Sequence, residues 1–237
     1  MTACVVGKPT FYRKPPWEAY EHLPGKTLSG VFRRGKYLLF RFETGAELVL
    51  HLGMSGSLRL DGPVSHERLR LEFGSEILRM NDPRRFGRAG CKLPSLGPEP
   101  LSEEFNPGVL SRAFRGRKAP IKALLLDQKV VAGLGNIYAT EALYAARIRP
   151  GRAAGGLRSA QLERLTSVIK DILGQAVELG GSTLDDEAYV DPLGRPGRAQ
   201  KILKVYGRTE CPSGHALKAT ARIIGGRRAW YCPDCQR

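Results

Sequence analysis

The chain has 237 residues, 42% of them hydrophobic, enough for one large domain or two compact ones with real cores and too apolar for a disordered chain. Its 38 Lys and Arg against 23 Asp and Glu leave a formal charge of +15, which points to a polyanionic partner, nucleic acid before all others. An anionic membrane would need a basic amphipathic helix, and none is legible. Five cysteines, three of them close together at the end, fit a reducing compartment better than a disulfide framework. The apolar run at Met1-Thr-Ala-Cys-Val-Val is too short for a signal peptide, and no later run reaches membrane-spanning length, so a cytoplasmic protein is expected.

From Thr27 to Met80 the pattern is of strands: Leu28 to Phe32, Tyr37 to Phe42, a Thr44-Gly45 turn, Glu47 to Leu52, Ser57 to Leu60, and further short runs. Turns every several residues predict an antiparallel sandwich or barrel over residues 1–95. A Pro- and Gly-rich stretch follows, and residues 96–108 read as a linker. The period then becomes helical over 109–205. Ile121 to Leu126 is a short apolar segment, Asn136 to Arg147 opens after Gly133-Leu-Gly135, and Ser159 is the expected N-cap of a long helix ended by Gly180-Gly181. Ser182 to Gln200 is polar and rich in Pro and Gly, a loop of the length that function tends to explain.

Several short motifs each admit two readings. Gly133-Leu-Gly135-Asn136 before a helix is either a tight turn or a place where backbone N–H groups face a phosphate. Asp82-Pro-Arg84-Arg85-Phe86-Gly87 is either an exposed turn or an aromatic wedge for stacked bases. Met54, between Gly53 and Gly56, is core filler or another such tip, and Lys36 is a solvated cation or a catalytic one. The tail, over 206–237, is more specific. Cys211 and His215, then Cys232 and Cys235, have the spacing of a structural zinc site that closes a β-hairpin, with one zinc ion expected. Leu217 to Ile224, the Gly225-Gly226 turn and Ala229-Trp230-Tyr231 describe that hairpin, and its tip carries Arg227 and Arg228.

Arg33-Arg-Gly-Lys-Tyr-Leu-Leu39, His51-Leu-Gly-Met-Ser-Gly-Ser57, Asp82-Pro-Arg-Arg-Phe-Gly87, Leu96-Gly-Pro-Glu-Pro100, Leu124-Leu-Leu-Asp-Gln128, Val131-Ala-Gly-Leu-Gly-Asn-Ile-Tyr138, Gly180-Gly-Ser-Thr183, Val205-Tyr-Gly-Arg208 and the cysteine hairpin occur in one order. Together, over about residues 24 to 237, they resemble the formamidopyrimidine-DNA glycosylase family. The resemblance implies an α+β chain: an N-terminal antiparallel β-sandwich, then a helix-two-turn-helix domain with a zinc-finger β-hairpin, and damaged double-stranded DNA bound between them. It implies base-excision repair with associated lyase chemistry on oxidised purines such as 8-oxoguanine and formamidopyrimidines, by a nucleoid-associated monomer.

By position, Lys36 resembles the family lysine that contacts phosphate and assists β-elimination, and Asn136 its phosphate clamp. Met54, Arg85 and Phe86 match the residues that fill the gap of the flipped base. His66, Arg84 and Arg117 align with further DNA contacts, and Arg227 with the finger arginine that grips phosphates and is implicated in δ-elimination. The 182–200 loop is expected to cap the everted base.

Two departures stand out. His215 replaces a cysteine ligand one position late. The family's opening Pro-Glu-Leu-Pro-Glu, whose proline amine attacks C1′, is not found in the 237 residues, and neither Glu18 nor Glu21 near Pro15-Pro16 replaces it. The expectation is therefore that the encoding gene carries Pro-Glu-Leu-Pro-Glu upstream of Met1 and that this chain is impaired in cleavage. A non-catalytic lesion-binding protein and, less well supported, a zinc-hairpin RNA-binding protein are the rival readings.

Overall fold

The structure, a computed structural model, describes residues 1–16, 20–60, 62–184 and 189–237. These form two compact units, one of Met1–Pro94 with Leu179–Gln200, the other of Ser95–Glu178 with Lys201–Arg237.

In the first unit the strands are β1 (Ala3–Val6), β2 (Leu28–Arg34), β3 (Tyr37–Phe42), β4 (Glu47–His51), β5 (Ser57–Leu60), β6 (Glu67–Phe73), β7 (Glu76–Asn81) and β8 (Arg88–Gly90). They make two antiparallel four-stranded sheets, ordered β1-β6-β7-β5 and β2-β3-β4-β8. Side chains two apart point to one face, so Phe40 and Phe42, with Leu48 and Leu50, meet Leu69, Leu71, Leu58 and Met80 of the other sheet. Phe11, Tyr20 and Leu23, from the β1–β2 connection, seal the same core. This is the expected sandwich, with two strands, β1 and β8, outside the Thr27 to Met80 stretch in which the sequence pattern places them. β1 pairs along β6, Cys4 opposite Leu71, and at four residues it is too short to announce itself.

The loop after Gly180 packs with this unit, where Ser182 bridges Arg198, Val190 bridges Pro196 and Leu60 N–H donates to the Pro192 carbonyl at 2.9 Å. Glu18 and loop residues 185–188 lie outside the described residues.

The second unit holds helices α1 (Pro107–Phe114), α2 (Ile121–Leu126), α3 (Asn136–Ala145) and α4 (Ser159–Glu178). α1 begins inside the stretch read as linker. Its start is nonetheless written in the sequence: Asn106 accepts from Val109 N–H at 3.3 Å, and Pro107 takes the first position, where a missing N–H costs nothing. α4 has the apolar stripe Leu162, Leu165, Ile169 and Ala176. Ser159 is its first residue rather than its cap; the Ser159 hydroxyl donates to Glu163 at 3.0 Å, and Gln161 Oε1 accepts from Arg158 N–H at 3.1 Å, half of a capping box. α3 has no such stripe, because it runs through the core with Ala139 to Leu143 all buried.

One buried polar group on α3 orders the chain far beyond it. Glu141 Oε1 accepts from the backbone N–H groups of Val205 and Tyr206 at 3.0 and 2.7 Å, and Oε2 from that of Lys204 at 2.8 Å. The turn leading into the C-terminal hairpin is thereby tied to the central helix. The hairpin itself is shorter than its sequence pattern: its ladder is confined to β9 (Lys218–Ala219) and β10 (Trp230–Tyr231), extended by a bridge between Ile224 and Arg227. Buried Gln236 pins its end, accepting from Cys232 N–H at 2.8 Å and donating to the Ile148 carbonyl at 2.7 Å.

Glu141→Ala takes the acceptor from three amides at once, that of Val205 buried and those of Lys204 and Tyr206 partly so, and hydrogen bonds to a charged acceptor contribute about 1.5–3 kcal/mol each. Urea unfolding is expected to show a loss of about 3 kcal/mol or more.

Candidate nucleic-acid interface

In the first unit the loops 52–56 and 82–87 are built around one carboxylate. Asp82 is fully buried, with Oδ1 accepting from Ser55 Oγ and Oδ2 from Gly87 N–H, both at 2.7 Å. Its backbone N–H donates to the His66 carbonyl at 3.0 Å, and its own carbonyl accepts from buried Arg68 Nε at 2.8 Å. Ser55 Oγ in turn accepts from Arg84 N–H at 3.3 Å. The loops touch so closely that a Cβ on Gly53 would sit 2.6 Å from the Phe86 carbonyl carbon, and Gly53 also has a left-handed φ of 73°.

This hub brings Met54, His66, Arg84, Arg85 and Phe86 together. Met54 and Phe86 are each close to half exposed, an unusual place for large apolar side chains. Arg85 has a left-handed φ of 61°, a strained backbone for a side chain of its size, and its Nε donates to the Thr10 carbonyl at 2.6 Å.

Lys36 is exposed in the β2–β3 turn, one residue before Tyr37. Tyr37 lies opposite His51, ring centroids 4.9 Å apart, and His51 Nδ1 accepts from Gly53 N–H at 3.0 Å. Burial, then the positive charges of Arg88 and Lys36, hold the His51 imidazole below its ordinary range. It is thus kept neutral, as an accepting Nδ1 requires. Lys36 and the Met54 loop are linked through that ring.

In the second unit Asn136 is the first residue of α3, after Gly135 in extended conformation and with no side chain capping the first turn. The approach is braced by Gln128, whose Oε1 accepts from Gly133 N–H at 2.9 Å and whose Nε2 donates to the Leu126 and Leu134 carbonyls. Asn136 Oδ1 is buried without a hydrogen bond, and the Asn136 carbonyl accepts from Thr140 Oγ1 at 2.8 Å. Thr140 Oγ1 itself accepts from Lys122 Nζ at 2.9 Å. Lys122 is fully buried, and burial, with the charge of Arg227 added, pulls its ammonium down to about 8. Arg227 is exposed at the hairpin tip, where Gly225 approaches α2 so closely that a Cβ would stand 2.8 Å from Leu126 Cδ1. Arg227 and Asn136 are therefore both tied to the surroundings of Lys122. Arg117 is exposed on the α1–α2 connection, its backbone bonded to Phe114 and Gly155.

The ligand atoms of Cys211, His215, Cys232 and Cys235 lie within 4.8 Å of one another. Cys211 Sγ to Cys235 Sγ is 4.0 Å, His215 Nδ1 to Cys235 Sγ 3.4 Å, and to Cys232 Sγ 3.8 Å. A tetrahedral ion with sulfur bonds of about 2.3 Å needs edges of about 3.8 Å. The four donors fit a metal ion, and the extra residue before His215 is absorbed by a turn in which Cys211 N–H donates to the His215 carbonyl.

Sequence reading missed the roles of Asp82, His51, Gln128 and Lys122. Only Lys122 carried a signal of its own, a lone cation in the apolar Ile121 to Leu126 run.

The family model of the formamidopyrimidine-DNA glycosylase N-terminal domain matches residues 1–89, and that of the glycosylase H2TH domain matches residues 96–188. The chain belongs to the formamidopyrimidine-DNA glycosylase family. The match from residue 1 takes in β1 and corrects the expectation that the likeness starts near residue 24. The formamidopyrimidine-DNA glycosylase of Thioalkalivibrio sulfidiphilus is 43% identical, over 100% of this chain and 92% of the relative. That of Thermus thermophilus is 45% identical, over 90% and 83%. The crystal structure of the MutM (Fpg) protein from Thermus thermophilus matches with a TM-score of 0.87 at 42% identity, covering 98% of this chain and 90% of that one. A complex of Lactococcus lactis Fpg with DNA containing an abasic site matches with a TM-score of 0.83 at 34% identity, covering 93% and 86%.

Asp82→Ala leaves the Ser55 hydroxyl and the Gly87 amide without their buried acceptor, so chemical denaturation is expected to show a loss of about 3 kcal/mol, against about 1 kcal/mol for Ser55→Ala.

Proposed function

We propose that this protein is a base-excision-repair DNA glycosylase with associated lyase activity, which removes oxidised purines such as 8-oxoguanine and formamidopyrimidines from double-stranded DNA by base flipping. The observation that carries this reading is the clamping of Met54, Arg85 and Phe86 to one buried carboxylate in a chain of this family. Extruding a base costs a few kcal/mol of stacking and pairing, and side chains that enter the vacated space offset it. Rigid loops suit that task, since a mobile tip would lose on ordering what it gains by insertion.

In this reading Met54, Arg85 and Phe86 fill the gap. His66, Arg84, Arg117, Asn136 and Arg227 hold phosphates, and the net charge of +15 supplies the long-range attraction to DNA. Asn136 acts from the uncapped start of α3, where backbone N–H groups favour an anion. Lys36 and Arg227 take part in the elimination steps. Cys211, His215, Cys232 and Cys235 hold one zinc ion, which supplies folding energy to the hairpin that carries Arg227 and takes no part in the reaction.

Base removal in the family uses an N-terminal proline amine, and the 237 residues hold no Pro-Glu-Leu-Pro-Glu. The non-catalytic reading is disfavoured by the 40–45% identity to proteins named as glycosylases. Among the described residues no helix is long and apolar enough to cross a membrane.

The 237-residue chain is expected to bind duplex bearing an abasic analogue more tightly than undamaged duplex or structured RNA. Borohydride trapping on 8-oxoguanine duplex separates this reading from the non-catalytic one, since a covalent adduct requires an amine nucleophile on the protein, and absence of any lesion preference would sink the reading. A strong chelator is expected to melt the C-terminal hairpin, seen as lost near-UV dichroism of Trp230 and Tyr231, and to weaken DNA binding, with both restored by zinc.

A further inference from the structure

The second unit holds a cavity of 370 Å³ between the C-terminal hairpin and the turn Arg149-Pro150-Gly151-Arg152, a turn that belongs to none of the family stretches. Arg149, Arg152 and Arg237 line it with Tyr231, and no Asp or Glu does. One wall is fixed to the start of α2, where the Pro150 carbonyl accepts from Lys122 N–H at 3.2 Å and the Arg152 carbonyl from Ile121 N–H at 2.8 Å. The other is the hairpin. A Cβ on Gly151 would stand 3.8 Å from Ile224 Cδ1, and Ile224 bridges Arg227, so the cavity flanks the strand end that presents Arg227.

Two of the lining arginines are set in place by the chain itself. Arg149 Nε donates to the Gln236 carbonyl at 2.9 Å and its Nη2 to the Pro233 carbonyl at 3.2 Å, while its guanidinium stands 5.8 Å from the centre of the Tyr231 ring. Arg152 Nη2 donates to the Gly156 carbonyl at 2.9 Å. Carbonyls bear no net charge, so both side chains are held without being neutralised, and among the described residues no carboxylate pairs with either. A solvated arginine keeps its rotamer freedom; these two have already given much of it up. A guanidinium has five N–H groups, and the contacts named use two on Arg149 and one on Arg152. The Thr220 hydroxyl, also at the wall, is spent on the Arg222 carbonyl and the Ala229 N–H. The donors left to a guest are those of the arginines.

We infer that this cavity is a phosphate site, in which Arg149 and Arg152 grip the oxygens of one phosphate group and Arg237 adds a third positive charge. The planar fork of arginine matches phosphate oxygens two at a time, and forks ordered in advance lose little on binding. The cavity is ample for a phosphate and within the about 300–1,000 Å³ of small-ligand sites. The same chemistry comes from two sources, the backbone of a duplex that runs past the hairpin and a small phosphorylated molecule. The inference stands on this geometry and does not need the glycosylase reading.

Phenylglyoxal modification of arginines in the full zinc-loaded chain, read residue by residue by mass spectrometry, tests it with two probes, inorganic pyrophosphate and undamaged duplex. At least one probe is expected to slow modification of Arg149 and Arg152 about ten-fold, and pyrophosphate to leave Arg115, exposed at the end of α1, reacting as before. Protection by pyrophosphate alone assigns a small phosphate ligand. Protection by duplex, with the slope of log affinity against log salt reduced by about 0.9 in Arg149→Gln, assigns the DNA backbone, whether or not pyrophosphate also enters. Gly151→Leu keeps every charge and fills the space, and it is expected to abolish the protection; Arg149→Gln is expected to abolish that of Arg152. Thermal melting reports whether each variant is folded, and either one suffices if the other is not. Unchanged modification of both arginines under both probes, protection of Arg115 by pyrophosphate to the same degree, or full protection in the folded variants overturns the proposal. Lesion preference, which decides the glycosylase reading, is a separate measurement.

Discussion

Loop tips that turn large apolar side chains outward cannot be held by packing among those side chains. In this protein the restraint comes from below. Among the described residues Asp82 is the group that the 52–56 and 82–87 loops, the His66 backbone and the Arg68 side chain all reach, at a position removed from solvent. An ionised group removed from water is tolerated only when its oxygens are saturated with donors, so the loops are joined at the one arrangement that satisfies the carboxylate. Gly53 and Gly87 then follow as necessities, the first because the Phe86 backbone passes where a Cβ would be, the second because Met80, Phe11 and Asp82 crowd it.

The helical unit uses the same device. Glu141 gathers three amides of the 204–206 turn, as Asp82 gathers the 52–56 and 82–87 loops. A chain with fifteen more cations than anions thus commits two of its acids as internal anchors, and its arginines other than Arg68 stay at or near the surface. Arg68, bonded to the Asp82 and Pro9 carbonyls, and Lys122, bonded to Thr140, are the buried cations. The depressed pKa of Lys122 says that the fold opposes its charge, a cost tolerated at sites that need a fixed donor. Through Thr140 Lys122 reaches the Asn136 carbonyl, which places a rigid polar chain under the start of α3.

Much of this was legible beforehand. The period-two runs mark β3 and β5 with their observed bounds, and the apolar spacing from Leu162 to Ala176 marks α4, because one face of each is buried and the pattern repeats. The metal donors were legible from spacing, since two close pairs on a hairpin need little else to converge. β1 was not, because four residues are made a strand by the free edge of β6 rather than by their own preference. α3 was recognised by its glycine turn and not by amphipathicity, which a helix surrounded by core does not have. The hairpin ladder came out shorter than its alternation, since a turn with glycines at 225 and 226 packs against α2 instead of extending the strands.

By itself the sequence determined the α+β order of elements, the basic surface, the metal donors and the family, all of which are written in composition and in motifs local to the chain. How each two-sided motif is anchored was decided by tertiary structure. Asp82-Pro-Arg-Arg-Phe-Gly is an exposed turn until residues 55, 66 and 68 come to its carboxylate and backbone, and the lone Tyr12 means nothing until Arg85 lies across it. Those partners stand 14 to 73 residues away along the chain, and contacts of that range leave no periodicity for a sequence to display.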